Sequence, residues 1–188
     1  AEPSAHRTNE RPASRLACER RLTLAVAILV MASGFAGLVY QTAWFRLFRG
    51  VFGASTAAHA SVVACFLGGL GLGAWVLGKR ADRVPAPLRL YAALELCAAL
   101  AAACTPWLIA WLEVPYHALA QRWALGVAGR TVLRLGVTLV VLALPTFLMG
   151  GALPAVIRVV EVESDRARRR AGLLYGANTL GALLGTLA

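Results

Sequence analysis

The chain has 188 residues, 59% of them hydrophobic and only 15% charged, with a mean hydropathy of +0.67. That is more apolar than a water-soluble domain of this length needs, and several runs reach the roughly 20 residues that carry a helix across a hydrocarbon layer about 30 Å thick. A net charge of +10 would point to nucleic acid in a soluble protein, but here the basic residues fall between the apolar runs, which argues against a nucleic-acid partner and for a lipid bilayer.

In chain order, residues 1–21 are polar and poor in large apolar side chains, and read as a disordered cytoplasmic tail. Residues 22–188 read as one transmembrane helical domain, with spans at about 22–45, 54–78, 88–112, 131–157 and 171–188, the last still apolar where the sequence stops. The expected fold is therefore all-α, a multi-span bundle of about five helices that is incomplete at its C-terminal end. Basic residues precede the first span and small residues follow at Ala32, Ser33 and Gly34, as in a secretory signal. The apolar run continues to Phe45 and further spans follow, so the segment reads as a signal anchor.

The positive charges set the orientation. Arg7, Arg11, Arg15, Arg20 and Arg21 precede span one, Lys79, Arg80, Arg83 and Arg89 follow span two, and Arg158, Arg166, Arg168, Arg169 and Arg170 follow span four. These lie on one side, whereas Arg46, Arg49, Arg122, Arg130 and Arg134 lie on the other. The positive-inside rule then places the N-terminus in the cytoplasm of a cell (inner) membrane.

Glycine dominates span two. Gly69 and Gly73 are spaced by four, as are Ala64 and Gly68, and Ala74 and Gly78, so small side chains line adjoining rows that let a second helix approach closely. Gly172 with Gly176, and Gly181 with Gly185, repeat the device in span five. No strand precedes the glycines of span two and the dinucleotide fingerprint spacing is missing. Pro145 and Pro154 should kink or break span four, with Gly150 and Gly151 allowing the bend. Between spans three and four, Tyr116, His117 and Trp123 fit an amphipathic segment on the outer membrane surface.

Five polar side chains inside the spans form a candidate polar cavity. Glu95 lies roughly 10 Å into span three at about 1.5 Å per residue, where a carboxylate must pair, protonate or face water. Its alternatives are a cation or proton site, or a partner for a basic residue of a neighbouring loop. His59 is an interhelical hydrogen bonder or a ligand, with no second ligating side chain at helical spacing. Asn178 can cross-link helices or line a pocket, and the same two readings hold for Tyr40 and Gln41 in "GFAGLVYQTAWFRLF". Cys18, Cys65, Cys97 and Cys104 form no ligand cluster, and no metal site is expected.

Five blocks, "SGFAGLVYQTAWFRLF", "GLGLGAWVLGKRADR", "LRLYAALEL", "PTFLMGGALP" and "AGLLYGANTLGALLG", resemble in order the membrane-spanning half of spermidine-synthase-like proteins that fuse a multi-span domain to a polyamine aminopropyltransferase domain. "GKRADR" also resembles the loop between the second and third helices of major facilitator transporters, which implies a cytoplasmic latch formed by Gly78, Asp82 and Arg83. The resemblance implies a major-facilitator-like half bundle associated with polyamine metabolism. Its chemistry would need a nucleotide-binding domain and amine-binding aspartates, which this sequence lacks: Asp82, Glu161, Glu163 and Asp165 lie in short connections. No catalytic residue and no cofactor is therefore assigned to this chain, and whether the family's enzymatic activity is its own stays open. Its expected partners are the lipid bilayer and either a second copy or a fused or separate aminopropyltransferase-like domain. The alternative expectation is half of a facilitator-type transporter for a small cationic or amphipathic solute.

Overall fold

The computed structural model describes residues 10–122, 126–160 and 165–187. Five helices follow one another: α1 (Glu10–Phe52), α2 (Thr56–Ala81), α3 (Pro87–Arg122), α4 (Val127–Val160) and α5 (Asp165–Gly185). The all-helical bundle expected from the sequence is the observed fold, and the described residues form no strand. Helices α1 to α4 are long and apolar enough to cross a membrane, as befits a multi-pass membrane protein. Helix α5 has 21 residues with arginines in its first turns, and among the described residues it is not one of these four. The helical backbone of α1 starts at Glu10, inside the segment expected to be a disordered tail.

Local chemistry fixes the connections. Gly53 adopts a φ of 78°, a left-handed conformation that suits a residue without Cβ, and it stops α1. Two residues later Ser55 caps α2, its hydroxyl accepting from the Ala58 amide at 3.2 Å. At the other end of α2, Pro87 opens α3 in the first helical position, where its missing N–H costs nothing.

The helices pair as α2 on α4, α1 on α5 and α3 on α4. Backbone approach makes the first two pairs possible. A Cβ added at Gly73 would strike the Phe147 carbonyl, and one at Gly69 would strike the Thr146 side chain. On the other pair, Gly181 and Gly185 lie against the Met31 and Phe35 carbonyls. The four glycines assigned to packing thus all meet a helix of the same chain. Gly68, Gly172 and Gly176, which belong to other rows of the same kind, have open space where a Cβ would be, as does Gly71.

Two apolar clusters fill the bundle. Trp44, Phe48, Phe52, Phe66, Tyr116 and Leu142 pack at the Gly53 end, while Val26, Val30, Tyr91, Leu94, Val156 and Leu174 pack at the arginine-rich end. Outside them the surface is also apolar: Trp111 is 85% exposed and Trp107 71%. Such a surface would aggregate in water and fits contact with lipid.

The prolines do not interrupt the helices. Pro106 and Pro115 lie inside α3, and Pro145 and Pro154 inside α4. Pro106 cannot donate to the Ala102 carbonyl one turn back. The neighbouring Thr105 hydroxyl donates to that carbonyl instead, at 2.7 Å, and itself accepts from Trp44 Nε1 at 2.8 Å.

The segment expected to lie on the outer surface after span three is instead continuous with α3 as far as Arg122. Tyr116 holds it against the bundle: its ring is buried 5.0 Å from that of Phe52. Arg134 on α4 donates to the Tyr116 hydroxyl at 3.4 Å, to Ser55 Oγ at 3.1 Å and to the Phe52 carbonyl at 3.2 Å. One cation thereby ties four helices together and neutralises the exposed carbonyl end of α1. Trp123 lies outside the described residues.

Candidate functional site

Between the two core clusters lies a cavity of about 430 Å³, to which all five helices contribute residues. Its walls are largely aliphatic and aromatic, with Val30, Leu38, Phe66, Leu70 and Met149 among them. Three polar side chains break this lining: Ser33 on α1, Tyr91 on α3 and Asn178 on α5.

Ser33 and Tyr91 connect the cavity to Glu95. The Ser33 hydroxyl donates to Glu95 Oε1 at 2.5 Å, and the Tyr91 phenol lies close to both side chains. Tyr91 and Glu95 meet because they stand one helical turn apart on α3. The neighbouring Gly34 lets α1 lie close to α5, where a Cβ on Gly34 would strike the Asn178 carbonyl. The observed hydrogen-bond partner of Glu95 is the Ser33 hydroxyl, from another helix.

The five candidate cavity residues do not converge. Asn178 lines the cavity and Glu95 borders it through its hydroxyl partner Ser33. Tyr40 is stacked on Trp44, ring centroids 5.9 Å apart, and packs on the other core cluster, with Gln41 half-buried beside it. His59 is exposed at the far end of the bundle, its ring 5.5 Å from that of Phe45 and its Nδ1 3.1 Å from the Ser55 carbonyl. It borders a separate small crevice with Phe48 and Arg49. The structure thus brings Ser33, Tyr91, Glu95 and Asn178 together, and it places Tyr40, Gln41 and His59 away from them. His59 and Glu95 were bound to separate, since one starts α2 and the other starts α3, and those ends point oppositely.

The expected latch residues sit at the arginine-rich end. Gly78 lets Pro154 approach, a Cβ there falling 3.3 Å from the proline Cβ. Asp82 pairs with Arg158 of α4, Oδ1 to Nε 2.9 Å, and its carbonyl accepts from Arg158 Nη2 at 3.4 Å. Arg83 is exposed, its amide donating to the Arg80 carbonyl in the turn. The partner of Asp82 thus comes from the end of α4 rather than from its own loop.

Sequence reasoning missed Ser33, Tyr91 and Arg158. A serine in a run of small residues and a tyrosine near a helix start carry no mark of their own, although the Tyr91–Glu95 spacing of one turn was visible. Among the described residues no group of His, Cys, Asp and Glu could hold a metal ion. No protein-family model, no curated protein and no solved structure matches the chain.

Proposed function

We propose that this chain is an integral-membrane, non-catalytic module of a spermidine-synthase-like protein. It would serve polyamine metabolism through an aminopropyltransferase domain supplied outside these residues. The observation that carries the reading is how the five resembling blocks assemble. The first lies against the fifth through Gly34, Gly181 and Gly185, and the second against the fourth through Gly69, Gly73 and Gly78. The third supplies Tyr91 and Glu95, which meet Ser33 of the first. Blocks that resemble the family in order thus meet one another at these close glycine approaches.

In this reading the N-terminus is cytoplasmic in the cell (inner) membrane, with Lys79, Arg80, Arg83, Arg89 and Arg158 on the same side. The test is to capture the native polypeptide or complex from solubilised membranes with an antibody to this chain. The captured material is then assayed for transfer of an aminopropyl group from decarboxylated S-adenosylmethionine to a diamine. Activity in that fraction, with none from the purified 188-residue chain, supports the reading. Capture of a chain with neither the activity nor an attached nucleotide-binding domain contradicts it.

A second reading, half of a facilitator-type carrier for a small cationic or amphipathic solute, is favoured by the 430 Å³ cavity and its carboxylate-backed wall. Proteoliposome uptake that Glu95→Gln abolishes supports it, and uptake indifferent to that change removes Glu95 from the path.

A further inference from the structure

We infer that the cavity between the two core clusters binds a small amphipathic amine, one protonated amino group on a short apolar body. The inference rests on the carrier reading for its site and names the ligand class. Its experiment measures equilibrium binding, so a cavity that binds without translocating and a cavity that does not bind give different results.

Volume comes first. About 430 Å³ lies within the range of roughly 300–1,000 Å³ typical of small-ligand sites, and walls made of Val30, Leu38, Phe66, Leu70 and Met149 suit a hydrocarbon body.

The polar wall then selects the head group. The Ser33 hydroxyl has one hydrogen and gives it to the Glu95 carboxylate, with the Tyr91 phenol close beside them. What Ser33 Oγ has left to present to the cavity is its lone pairs. The wall is therefore an acceptor with a carboxylate directly behind it, and the Asn178 side-chain oxygen can add a second acceptor. No Lys, Arg or His lines the cavity among the described residues. A carboxylate or phosphate would set acceptor against acceptor and charge against like charge. A neutral hydrocarbon would leave Glu95 uncompensated in a medium of low dielectric. An ammonium group supplies up to three donors and the missing positive charge.

The experiment uses the full chain in lipid nanodiscs, with empty nanodiscs subtracted, and radiolabelled hexylamine as probe. Binding should be saturable, and unlabelled hexylamine should displace the label at least tenfold more effectively than hexanol or hexanoate. Glu95→Gln should weaken binding at least tenfold. Gly71→Leu tests the location separately: Gly71 lines the cavity and an added Cβ there meets nothing. The larger side chain starts in open space and takes the ligand's room, and binding should be lost. Equal displacement by amine, alcohol and carboxylate overturns the inference, as does full-strength hexylamine binding in Gly71→Leu or in a folded Glu95→Gln.

Discussion

Ser33 on α1 and Glu95 on α3 are joined by a 2.5 Å hydrogen bond, so that a carboxylate set well inside a membrane helix is held by a hydroxyl from another helix. Each group needs the other, because lipid offers neither a donor nor charge stabilisation. Ser33→Ala should lower stability by about 0.5–1.5 kcal/mol, the range for one interhelical hydrogen bond in a membrane protein. Denaturation by SDS in mixed micelles measures it, and no change would show that Tyr91 alone suffices for Glu95.

Glycines of neighbouring sequence rows should differ sharply in tolerance. Gly73→Ala drives a methyl into the Phe147 carbonyl, so α2 and α4 must separate and about 1–3 kcal/mol of packing is lost. Gly68→Ala meets open space and should be neutral or slightly stabilising, since alanine favours a helix more than glycine does. The same contrast should separate Gly181→Ala from Gly176→Ala on α5, read by SDS denaturation of the four variants.

That contrast marks how far the sequence could be read. Hydropathy and arginine placement identify the long helices and their alternating direction, because lipid imposes a single rule on every residue of a span. Spacing identifies the glycine rows, yet Gly68 and Gly69 both belong to rows, and only tertiary packing selects the face that Gly69 shares with Gly73. The candidate site was half legible. Glu95 and Asn178 stand out as polar groups in apolar runs, but Tyr40 and His59 stand out for the same reason and are occupied with Trp44, Phe45 and the end of α2. The C-terminal end of α3 was misread because Tyr116 looks interfacial until Phe52 and Arg134 are placed against it.

Thr105 has two duties beside Pro106. Thr105→Val would leave the Ala102 carbonyl without its donor and Trp44 Nε1 without its acceptor, both at a buried position. The expected loss is about 1–3 kcal/mol, the cost of stranding buried polar groups. Trp44→Phe, which removes only one donor, should cost less of it through hydrogen bonding. A double-mutant cycle between the two positions should therefore show clear coupling, and additive effects would contradict the shared network.

The Asp82–Arg158 pair lies at the helix ends, with side chains 57% and 40% exposed. Its coupling energy should be small, about 0–1 kcal/mol, and should shrink as salt is raised. A cycle of Asp82→Asn and Arg158→Gln at low and high ionic strength checks this. Strong coupling that salt leaves unchanged would indicate a pair shielded from water.

Cysteine accessibility across the membrane tests the central claim most directly. Single cysteines are placed at exposed Ala54 in the α1–α2 turn and at exposed Arg83 in the α2–α3 turn, with the native cysteines replaced by serine or alanine. In intact cells a membrane-impermeant maleimide should label Ala54→Cys, and it should label Arg83→Cys only after the membrane is opened. Labelling of both from the same side would contradict a bundle in which α2 crosses the bilayer with its arginine-rich end in the cytoplasm.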